Sequence, residues 1–296
     1  MLHPMATRIR TFETKIAEIV PETPDTVTLL LDLGAHGGYR AGQYVSIDPH
    51  QFAGLQGFVQ FLEGLKGRRE PPRAYSMSSA PHEPLVAITI KEELFEAGVT
   101  PYPPLLSGLL VHRLKTGERL VVTGFAGGYI LPEDVEDRCE HVLHVVAGSG
   151  SVPNLSMVKD SLHRQTKLRH TFVYSNKTWD DIIFRDELTR LQQAHPARLR
   201  VVHRLTRENE AALRERNLPA GLDVGTGRVS ADLLASALAA EPSSQVYLCG
   251  PAVSVWERRA CAAKGTTPPP RFLESMVGAL EGLGVAHDRI KVEAFG

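Results

Sequence analysis

Four consecutive residues, Arg73-Ala74-Tyr75-Ser76, bring a cation, an aromatic ring and a hydroxyl together in a segment with the pattern of a β-strand. Side chains of a strand alternate between its two faces, so Arg73 and Tyr75 share one face and Ser76 lies on the other. A guanidinium pairs with phosphate through its planar fork, and a tyrosine ring offers a stacking surface. The segment therefore suits a ligand that carries a phosphate and a flat ring. Taken alone, it is more typical of an ordinary edge strand.

A glycine-containing loop, Gly148-Ser149-Gly150-Ser151-Val152-Pro153, follows the nearly continuous apolar segment 141–147 and precedes a helical pattern. Glycines in this position let the backbone approach a diphosphate, and the N-terminus of the helix supplies N–H donors. The third glycine of the G-x-G-x-x-G motif is missing, so by itself the loop is also compatible with a tight turn between a strand and a helix.

A second motif, Cys249-Gly250-Pro251, ends another predicted strand. Ligands of open α/β sheets bind at the carboxyl ends of the strands, so we expect this motif and the glycine loop on the same rim. The alternative for Cys249 is a small buried apolar side chain, which is the usual environment of a free cysteine.

The first part of the chain has six short segments with strand patterns and turn signals between them, which predicts a small antiparallel six-stranded barrel. The predicted strands are 12–20, 26–33, 39–47, 73–79, 85–91 and 120–123. Two stretches interrupt them. Residues 50–69 have helical apolar spacing, which favours a helix packed on the barrel over a lid or a partner-docking helix. Residues 92–104 form a second interruption.

In the second part, strands alternate with helices, which predicts a doubly wound parallel sheet. The predicted strands are 141–147, 168–174, 199–205, 245–249 and 290–295, and the predicted helices start after residue 150 and cover 180–193, 231–240 and 272–283. The polar stretch 132–140 separates the two patterns. We therefore predict two domains, residues 1–134 and 135–296.

Composition limits the class of protein. The 296 residues are 43% hydrophobic, with 33 basic and 34 acidic side chains and a net charge of −1. A general nucleic-acid binder would show a basic excess. The three cysteines are widely spaced, which predicts neither a disulfide framework nor a metal site and suits a reduced, cytoplasmic compartment. No apolar run has the length of a signal peptide or a membrane span.

The order and separation of Arg73-x-Tyr75-Ser76, Gly148-Ser149-Gly150 and Cys249-Gly250-Pro251 resemble the ferredoxin–NADP reductase superfamily. The resemblance extends from about residue 10 to the end. In detail the chain is most similar to the reductase components of bacterial multicomponent oxygenases, of the phenylacetyl-CoA oxygenase type. The segments that carry this similarity are 147–153, 174–178, 183–188 and 293–295. The family implies an FAD-binding barrel followed by an NAD(P)-binding domain.

The resemblance also implies roles for the first motif. Arg73 would pair with a flavin phosphate, Ala74 and Tyr75 would pack on the flavin, and Ser76 would place its hydroxyl near the reactive N5. Ile90 and Lys91 would line the diphosphate and adenine side. Ser107 occupies the position of a serine that binds flavin diphosphate ten residues before the glycine of a Lys-x-Gly-Asp turn, here 115–118. The family has glycine three residues before that serine, whereas this chain has Pro104.

For the second domain, the resemblance implies that the glycine loop holds the nicotinamide dinucleotide and that Cys249 lies near the nicotinamide ring. Phe295 would cover the other face of the flavin, and Arg207 would favour NADPH over NADH by contacting a 2′-phosphate. We therefore expect Ser76, Cys249 and Phe295 to be catalytic. The full set of implied dinucleotide contacts is Gly148, Ser149, Gly150, Pro153, Ser175, Asn176, Arg207, Cys249, Gly250, Pro251 and Phe295.

The C-x₄-C-x₂-C spacing of a plant-type iron–sulfur domain is absent from the sequence. We therefore expect a flavoprotein reductase that takes hydride from NAD(P)H onto FAD and passes electrons to a separate ferredoxin, Rieske protein or oxygenase component. A reductase of free flavin or quinone and a non-catalytic electron-transfer subunit of a larger complex are the alternatives. The basic insertion 254–271 is interpreted either as a docking site for an acidic iron–sulfur protein or as a solvated loop.

Overall fold

A computed structural model describes residues 10–34, 38–95, 100, 102–239, 241 and 243–295. Six antiparallel strands come first in the chain, with the order β4-β3-β6-β1-β2-β5 in the sheet. An isolated bridge between Met77 and Ile88 joins the two outer strands and closes the barrel. The strands are β1 (Arg10–Thr23), β2 (Thr26–Asp32), β3 (Tyr44–Ile47), β4 (Arg73–Ser76), β5 (Val86–Lys91) and β6 (Arg119–Ala126). The predicted six-stranded antiparallel barrel is confirmed.

The first interruption of the barrel contains two 3₁₀ turns, Pro49–Gln51 and Ala53–Leu55, followed by helix α1 (Gln56–Lys66). The helix buries Val59 and Leu62, which explains its apolar spacing, and leaves Phe61 and Leu65 exposed. These side chains pack with Leu105 and Tyr102 in a small cluster separate from the barrel core, while part of the apolar surface of the helix faces outward. Helix α2 (Ser107–His112) follows the second interruption, of which residues 96–99 and 101 lie outside the described residues.

The second half forms a parallel sheet of six strands in the order β10-β9-β8-β7-β11-β12. Chain order reverses between β7 and β11, which makes the carboxyl ends of these two strands the topological switch point of the sheet. The strands are β7 (His141–Ala147), β8 (Arg169–Asn176), β9 (Leu199–Leu205), β10 (Asp223–Thr226), β11 (Gln245–Pro251) and β12 (Ile290–Phe295). The predicted doubly wound sheet is confirmed.

Helices cover both faces of this sheet and bury two apolar clusters against it, separate from the cluster inside the barrel. The helices are α3 (Val135–Arg138), α4 (Ser151–His163), α5 (Arg185–Ala194), α6 (Glu210–Glu215), α7 (Ala231–Ala239), α8 (Val255–Ala263) and α9 (Phe272–Gly282). Short 3₁₀ turns occur at Gly148–Gly150, Trp179–Asp181 and His287–Arg289. The division of the chain near residue 134 remains our proposal.

Three elements differ from the sequence-based expectation. The predicted helix 180–193 consists of the turn Trp179–Asp181 and helix α5, because Phe184 adopts a positive φ of 59° between them. Strand β10 has only four residues, too few for a clear alternation. Helix α8 forms within the basic insertion that we interpreted as a loop. It buries no side chain and has no apolar stripe to reveal it, although Ser254 and Glu257 form a capping box at its start.

Helix α4 joins the two halves of the molecule. Ser156 Oγ donates a hydrogen bond to the carbonyl oxygen of Ser79 at 2.5 Å. Lys159 Nζ lies 2.7 Å from a carboxylate oxygen of Glu83 in the barrel and 3.1 Å from one of Glu187 on α5. The helix that starts at the glycine loop is therefore fixed to the segment that follows the Arg73–Ser76 strand. Among the residues that the structure describes, no helix has the length and apolar character needed to cross a membrane.

Candidate functional site

The glycine loop and the Cys249-Gly250-Pro251 motif meet at the switch point of the parallel sheet. A Cβ atom on Gly150 would lie 2.2 Å from the carbonyl oxygen of Cys249, and one on Gly250 would lie 2.8 Å from the ring of Phe272. Side chains do not fit at either position, so both glycines are required by close packing. The structure thus brings together the two motifs that the sequence placed on one rim.

The loop also leaves backbone open toward the rim. Gly148 has a positive φ of 52°, and nothing lies within 4 Å of where its Cβ would be. Its carbonyl oxygen accepts a hydrogen bond from Tyr174 Oη at 2.9 Å, which holds the loop against β8. Pro153 lies in the first turn of α4, where its missing N–H costs no helical hydrogen bond. The loop is a cradle of backbone groups, as a bound diphosphate requires.

Cys249 is fully buried, and burial, followed by the charge of Glu293, raises the pKa of its thiol. The thiol is therefore protonated at neutral pH and fills space rather than acting as a nucleophile. Pro251 and Phe295 are register partners at the ends of β11 and β12, with Phe295 packed against the core of the domain. The phenylalanine therefore lies beside the rim, and its predicted position over the flavin stays a prediction.

Glu293 is a residue of the rim that the sequence reasoning missed. It is the register partner of Cys249, and burial raises the pKa of its carboxyl group to about 7. Its Oε2 atom is buried and has no hydrogen-bond partner among the described residues. A buried, unpartnered carboxyl oxygen is costly unless a ligand or proton satisfies it. The signal was present, since an acidic residue in the last predicted strand lies three positions from the end of the chain.

The ends of β8 and β9 extend the same rim. Ser175 and Asn176 are buried at the end of β8, and Arg207 is exposed just after β9. Asn176 Nδ2 lies near the Tyr174 hydroxyl but makes no hydrogen bond of ordinary geometry within the described part of the chain. A dinucleotide is rich in acceptor oxygens, so it is a suitable ligand for this buried amide group at the edge of the sheet.

In the barrel, β4 pairs with β3 so that Tyr44 lies opposite Ser76. Ser76 is 4% exposed, and Tyr75 is half-buried against the barrel core. Burial, followed by the charge of Glu93, raises the pKa of the Tyr75 phenol, which therefore stays neutral. Ala74 is exposed. The predicted ring-binding residues thus lie at one barrel end, close to the Ser78–Ser79 segment that contacts α4.

Arg73 is engaged by the chain itself. Its Nη2 atom lies 2.6 Å from Oε2 of Glu70, and its Nη1 atom donates to the carbonyl oxygen of Pro71 at 2.5 Å. Glu70 is buried and also pairs with Lys66 at 2.5 Å. A carboxylate of this protein therefore occupies the partner position that we predicted for a flavin phosphate.

The predicted diphosphate contacts show the same pattern. Ser107 Oγ accepts a hydrogen bond from the backbone N–H of Glu93 at 3.1 Å, and Glu92 pairs with His112 at 2.8 Å. Lys91 forms an ion pair with Asp25 at 2.6 Å, and Ile90 is buried in the barrel core. The structure does not bring these residues to an open cofactor surface. The partner of Ser107 comes from residues 92–95, in the insertion whose role the sequence did not define, whereas the partner of Lys91 comes from the turn between β1 and β2.

The two cofactors thus fit differently. A nicotinamide dinucleotide fits the backbone cradle and the unpartnered polar atoms of the rim. On the barrel side, Ser76 is buried and Tyr75 is half-buried, and the Arg73 guanidinium expected for a flavin phosphate pairs with Glu70. Within the described ranges, no set of three or more His, Cys, Asp or Glu side chains is arranged to hold a metal ion.

Residues 145–255 match the family described as "Oxidoreductase NAD-binding domain". The chain is 25% identical over 286 residues to the ferredoxin reductase component of 3-ketosteroid-9-alpha-monooxygenase from Rhodococcus rhodochrous, covering 95% of this chain and 64% of that protein. It is 26% identical over 196 residues to NADH-cytochrome b5 reductase 2 from Coccidioides immitis, covering 65% of this chain and 54% of that protein. The chain thus spans between half and two thirds of the length of these relatives.

The flavohem-like FAD/NAD-binding domain of nitric oxide dioxygenase from Vibrio cholerae has the same fold, with a TM-score of 0.67 and 23% identity over 97% of this chain and 100% of that chain. The resemblance to the ferredoxin–NADP reductase superfamily is confirmed in the two-domain fold and in the NAD-binding domain of the second half, and the relatives include an oxygenase reductase component.

Proposed function

We propose that this chain, whose second half is an oxidoreductase NAD-binding domain in a ferredoxin–NADP reductase-like fold, is an NAD(P)H-dependent FAD reductase that passes electrons to a separate protein. The acceptor is a ferredoxin, a Rieske protein or another oxygenase component. The observation that carries the proposal is the contact of Gly150 with the Cys249–Gly250 peptide at the switch point. This cradle starts the helix that packs on the Tyr75–Ser76 end of the barrel.

A bound flavin supplies the chemistry of accepting a hydride and releasing electrons one at a time. The residues of this chain supply position and environment. The backbone of the Gly148–Gly150 loop admits the diphosphate of NAD(P)H, and the fully buried Cys249 excludes water from the rim beside it. Glu293, with a carboxyl pKa of about 7, can hold or release a proton beside Cys249 near neutral pH. The Ser76 hydroxyl is buried on the barrel side. The proposal assigns catalytic roles to Ser76, Cys249, Glu293 and Phe295.

The proposal also includes a choice of flavin, FAD rather than FMN, and a choice of nucleotide, NADPH rather than NADH. FAD rather than FMN rests on the resemblance, because Arg73 and Ser107 are paired within the chain. NADPH over NADH rests on Arg207, whose exposed side chain follows β9 while its backbone N–H donates to the Lys177 carbonyl oxygen at 2.7 Å. The hydrogen bond brings the backbone of Arg207 next to the end of β8, which supports a role for this residue at the dinucleotide site.

The test is to purify the chain, release and identify its flavin, and follow flavin absorbance after mixing with NADPH or NADH. We expect FAD and rapid bleaching, with NADPH more effective. Reduction of a ferredoxin at catalytic rates, without comparable reduction of free flavin or quinone, would support the protein acceptor over the small-molecule alternative. A chain that binds flavin but is not bleached by either nucleotide would contradict the proposal.

A non-catalytic subunit of a larger complex is the second candidate. The observation that favours it is the exposed apolar pair on α1, Phe61 and Leu65, which are 57% and 55% exposed. Such a pair one helical turn apart suits a partner surface. Flavin bleaching by NAD(P)H would exclude a purely structural role.

The proposed docking of an acidic partner on residues 254–271 now concerns helix α8. Trp256 is 45% exposed, with the Arg259 guanidinium 5.5 Å from its ring centroid. Arg271 pairs with Glu257 at 2.5 Å, and Arg258 lies 3.6 Å from Glu274, so two of the basic side chains are partly neutralised. Replacing Arg259 and Lys264 with Gln should slow electron transfer to the true acceptor. Unchanged transfer would remove this docking site.

A further inference from the structure

A continuous series of buried polar side chains links the glycine loop to the opposite end of the parallel sheet. Asn154 Nδ2 donates to the Gly150 carbonyl oxygen at 3.1 Å, and Asn154 Oδ1 lies 2.8 Å from His144 Nδ1. His144 Nε2 lies 3.1 Å from His170 Nδ1, and His170 Nε2 lies 2.8 Å from Ser161 Oγ. Both imidazoles are at most 2% exposed, and Asn154 is completely buried. We call Asn154, His144, His170 and Ser161 the histidine chain.

The hydrogen bonds of the histidine chain have only one consistent direction. The Gly150 carbonyl can only accept, so the Asn154 amide must turn its NH₂ group to it and its oxygen to His144. His144 must then carry its proton on Nδ1, which leaves Nε2 as the acceptor for His170 Nδ1–H. His170 Nε2 in turn accepts from Ser161. Both histidines are therefore neutral Nδ1–H tautomers.

Gly150 is the point where this series reaches the rim. On one side its carbonyl is held by Asn154, and on the other its Cα is pressed against the carbonyl of Cys249, 2.2 Å from where a Cβ would be. The orientation of the Gly150 peptide is thus set by two contacts, a steric contact with the Cys249 backbone and a hydrogen bond that depends on the direction of the Asn154 amide. If the amide turned, its oxygen would face the Gly150 carbonyl oxygen, and the two acceptors would repel each other.

We propose that His144 and His170 are positioning residues for the dinucleotide loop. Their fixed tautomers orient Asn154, and Asn154 holds the Gly150 carbonyl inward so that the loop presents N–H groups to the phosphates. The inference rests on the proposed binding of NAD(P)H at this loop. Neither histidine touches the nucleotide.

The groups that face the two imidazoles keep them neutral. His144 lies against the rings of Phe172 and Tyr247, and His170 is near the Arg198 guanidinium, with His141 on the neighbouring part of β7. Burial lowers the pKa of His144 to about 4, and burial followed by the His144 charge lowers the pKa of His170 well below its usual value. Protonation of His144 would set its Nε2–H against the Nδ1–H of His170. The loop is therefore expected to lose its order only in acid.

The chain offers a matched control for a test. His141 is also buried on β7 and also makes two side-chain hydrogen bonds, to Ser244 Oγ at 2.7 Å and to Thr171 Oγ1 at 2.9 Å. It does not contact Asn154. Replacing His141 with Phe removes a buried imidazole of similar environment without breaking the series that ends at Gly150.

The experiment compares His144→Phe and His141→Phe in the flavin-loaded protein, with the Kd for NADPH and NADH measured by fluorescence titration and folding checked by thermal unfolding. We expect His144→Phe to raise the Kd about tenfold and His141→Phe to change it less than about twofold, although both lose buried hydrogen bonds. His144→Asn, which can place a donor near the Nδ1 position, should restore most of the affinity. Equal Kd changes in the two Phe variants would overturn the proposal.

A second measurement does not depend on nucleotide binding. In ¹⁵N NMR spectra of the histidine-labelled protein, His144 and His170 should show the signature of neutral Nδ1–H tautomers throughout pH 6 to about 8, since their pKa values are depressed. An Nε2–H signature for either ring would overturn the proposed direction. If the unaltered protein binds neither nucleotide, the proposed function fails, whereas this spectrum still tests the histidine chain.

Discussion

The rim of the parallel sheet and the phosphate-facing end of the barrel show two ways of building a binding site. At the rim, the site consists of backbone at the carboxyl ends of strands, and buried polar atoms of Asn176 and Glu293 have no partner among the residues that the structure describes. At the barrel, the site was expected to consist of side-chain groups, but the Arg73 guanidinium pairs with Glu70 and the Ser107 hydroxyl accepts a hydrogen bond from the backbone N–H of Glu93. The position of a backbone binding site is determined by the strand order of the sheet. A binding site made of side chains also depends on whether neighbouring residues of the same chain pair with those side chains.

The largest expected effect tests the backbone site. Gly150→Ala places a Cβ 2.2 Å from the Cys249 carbonyl oxygen, so the loop or β11 must move. We expect loss of measurable NAD(P)H binding together with a clear fall in the temperature of unfolding. Gly278→Ala is the control, because Gly278 is exposed within α9 and nothing lies within 4 Å of its Cβ position. That variant should be unchanged or more stable by about 0.5–1 kcal/mol. Normal nucleotide affinity in Gly150→Ala would show that the rim is not the site.

The next prediction distinguishes the barrel from the parallel sheet by the cofactor that each one binds. Tyr75→Ala removes the ring that is half-buried at the end of β4, and we expect flavin affinity to fall about tenfold or more. Cys249→Ala should retain flavin and mainly slow hydride transfer, because Cys249 lies on the nucleotide side. Flavin content after gel filtration and the rate of flavin bleaching give the two readouts. Undiminished flavin in Tyr75→Ala would contradict the assignment of the strand.

A moderate effect is expected from Glu293, whose raised pKa makes it titrate near neutral pH. If hydride transfer uses the protonated carboxyl group, the rate should fall severalfold as pH rises through about 7. Because the pKa is raised from 4.5 to about 7 in the folded state, the folded protein should also lose stability as pH rises between these two values. Glu293→Gln should flatten both profiles. Stopped-flow bleaching across neutral pH and thermal unfolding from about pH 4 to about pH 8 measure them, and an unchanged profile in the variant would exclude Glu293 as the titrating group.

The smallest expected effect concerns Glu70, whose carboxylate pairs with Arg73 at the barrel. Burial would raise the pKa of Glu70, but hydrogen bonds from Lys66 and Arg73 outweigh it and keep the carboxylate charged. Glu70→Gln should release Arg73 and strengthen flavin binding a few-fold, at some cost in stability from the unpaired cations. Glu13→Gln on β1 is the control, since the Glu13 carboxylate pairs with Arg119 rather than with Arg73. Weaker flavin binding in Glu70→Gln alone would mean that Glu70 holds Arg73 in place for the phosphate.

Much of the fold could be predicted because its signals are local. The apolar run of β7, the glycines at 148 and 150, and the Gly250-Pro251 end of β11 report burial and close approach through residue type alone. Glu293 was missed because its importance comes from its register with Cys249, a long-range relation. The pairing of Arg73 with Glu70 is local, three positions apart in the sequence, and was missed because residue types alone do not show whether a nearby carboxylate or a ligand phosphate takes the guanidinium. Helix α8 could not be recognised by periodicity because it has no buried face.

Helix α4 connects the glycine loop to the barrel over a fixed distance. Its 13 residues extend about 20 Å from the glycine loop. Ser156 and Lys159, about one and two turns into the helix, are fastened to the barrel at Ser79 and Glu83. A displacement of the barrel end that carries Tyr75 must therefore move the nucleotide loop as a rigid body rather than open a gap. Helix α4 therefore sets the distance between the nucleotide loop and the barrel end that carries Tyr75. A deletion within α4, or a break in the helix, would change that distance even if every site residue were unchanged.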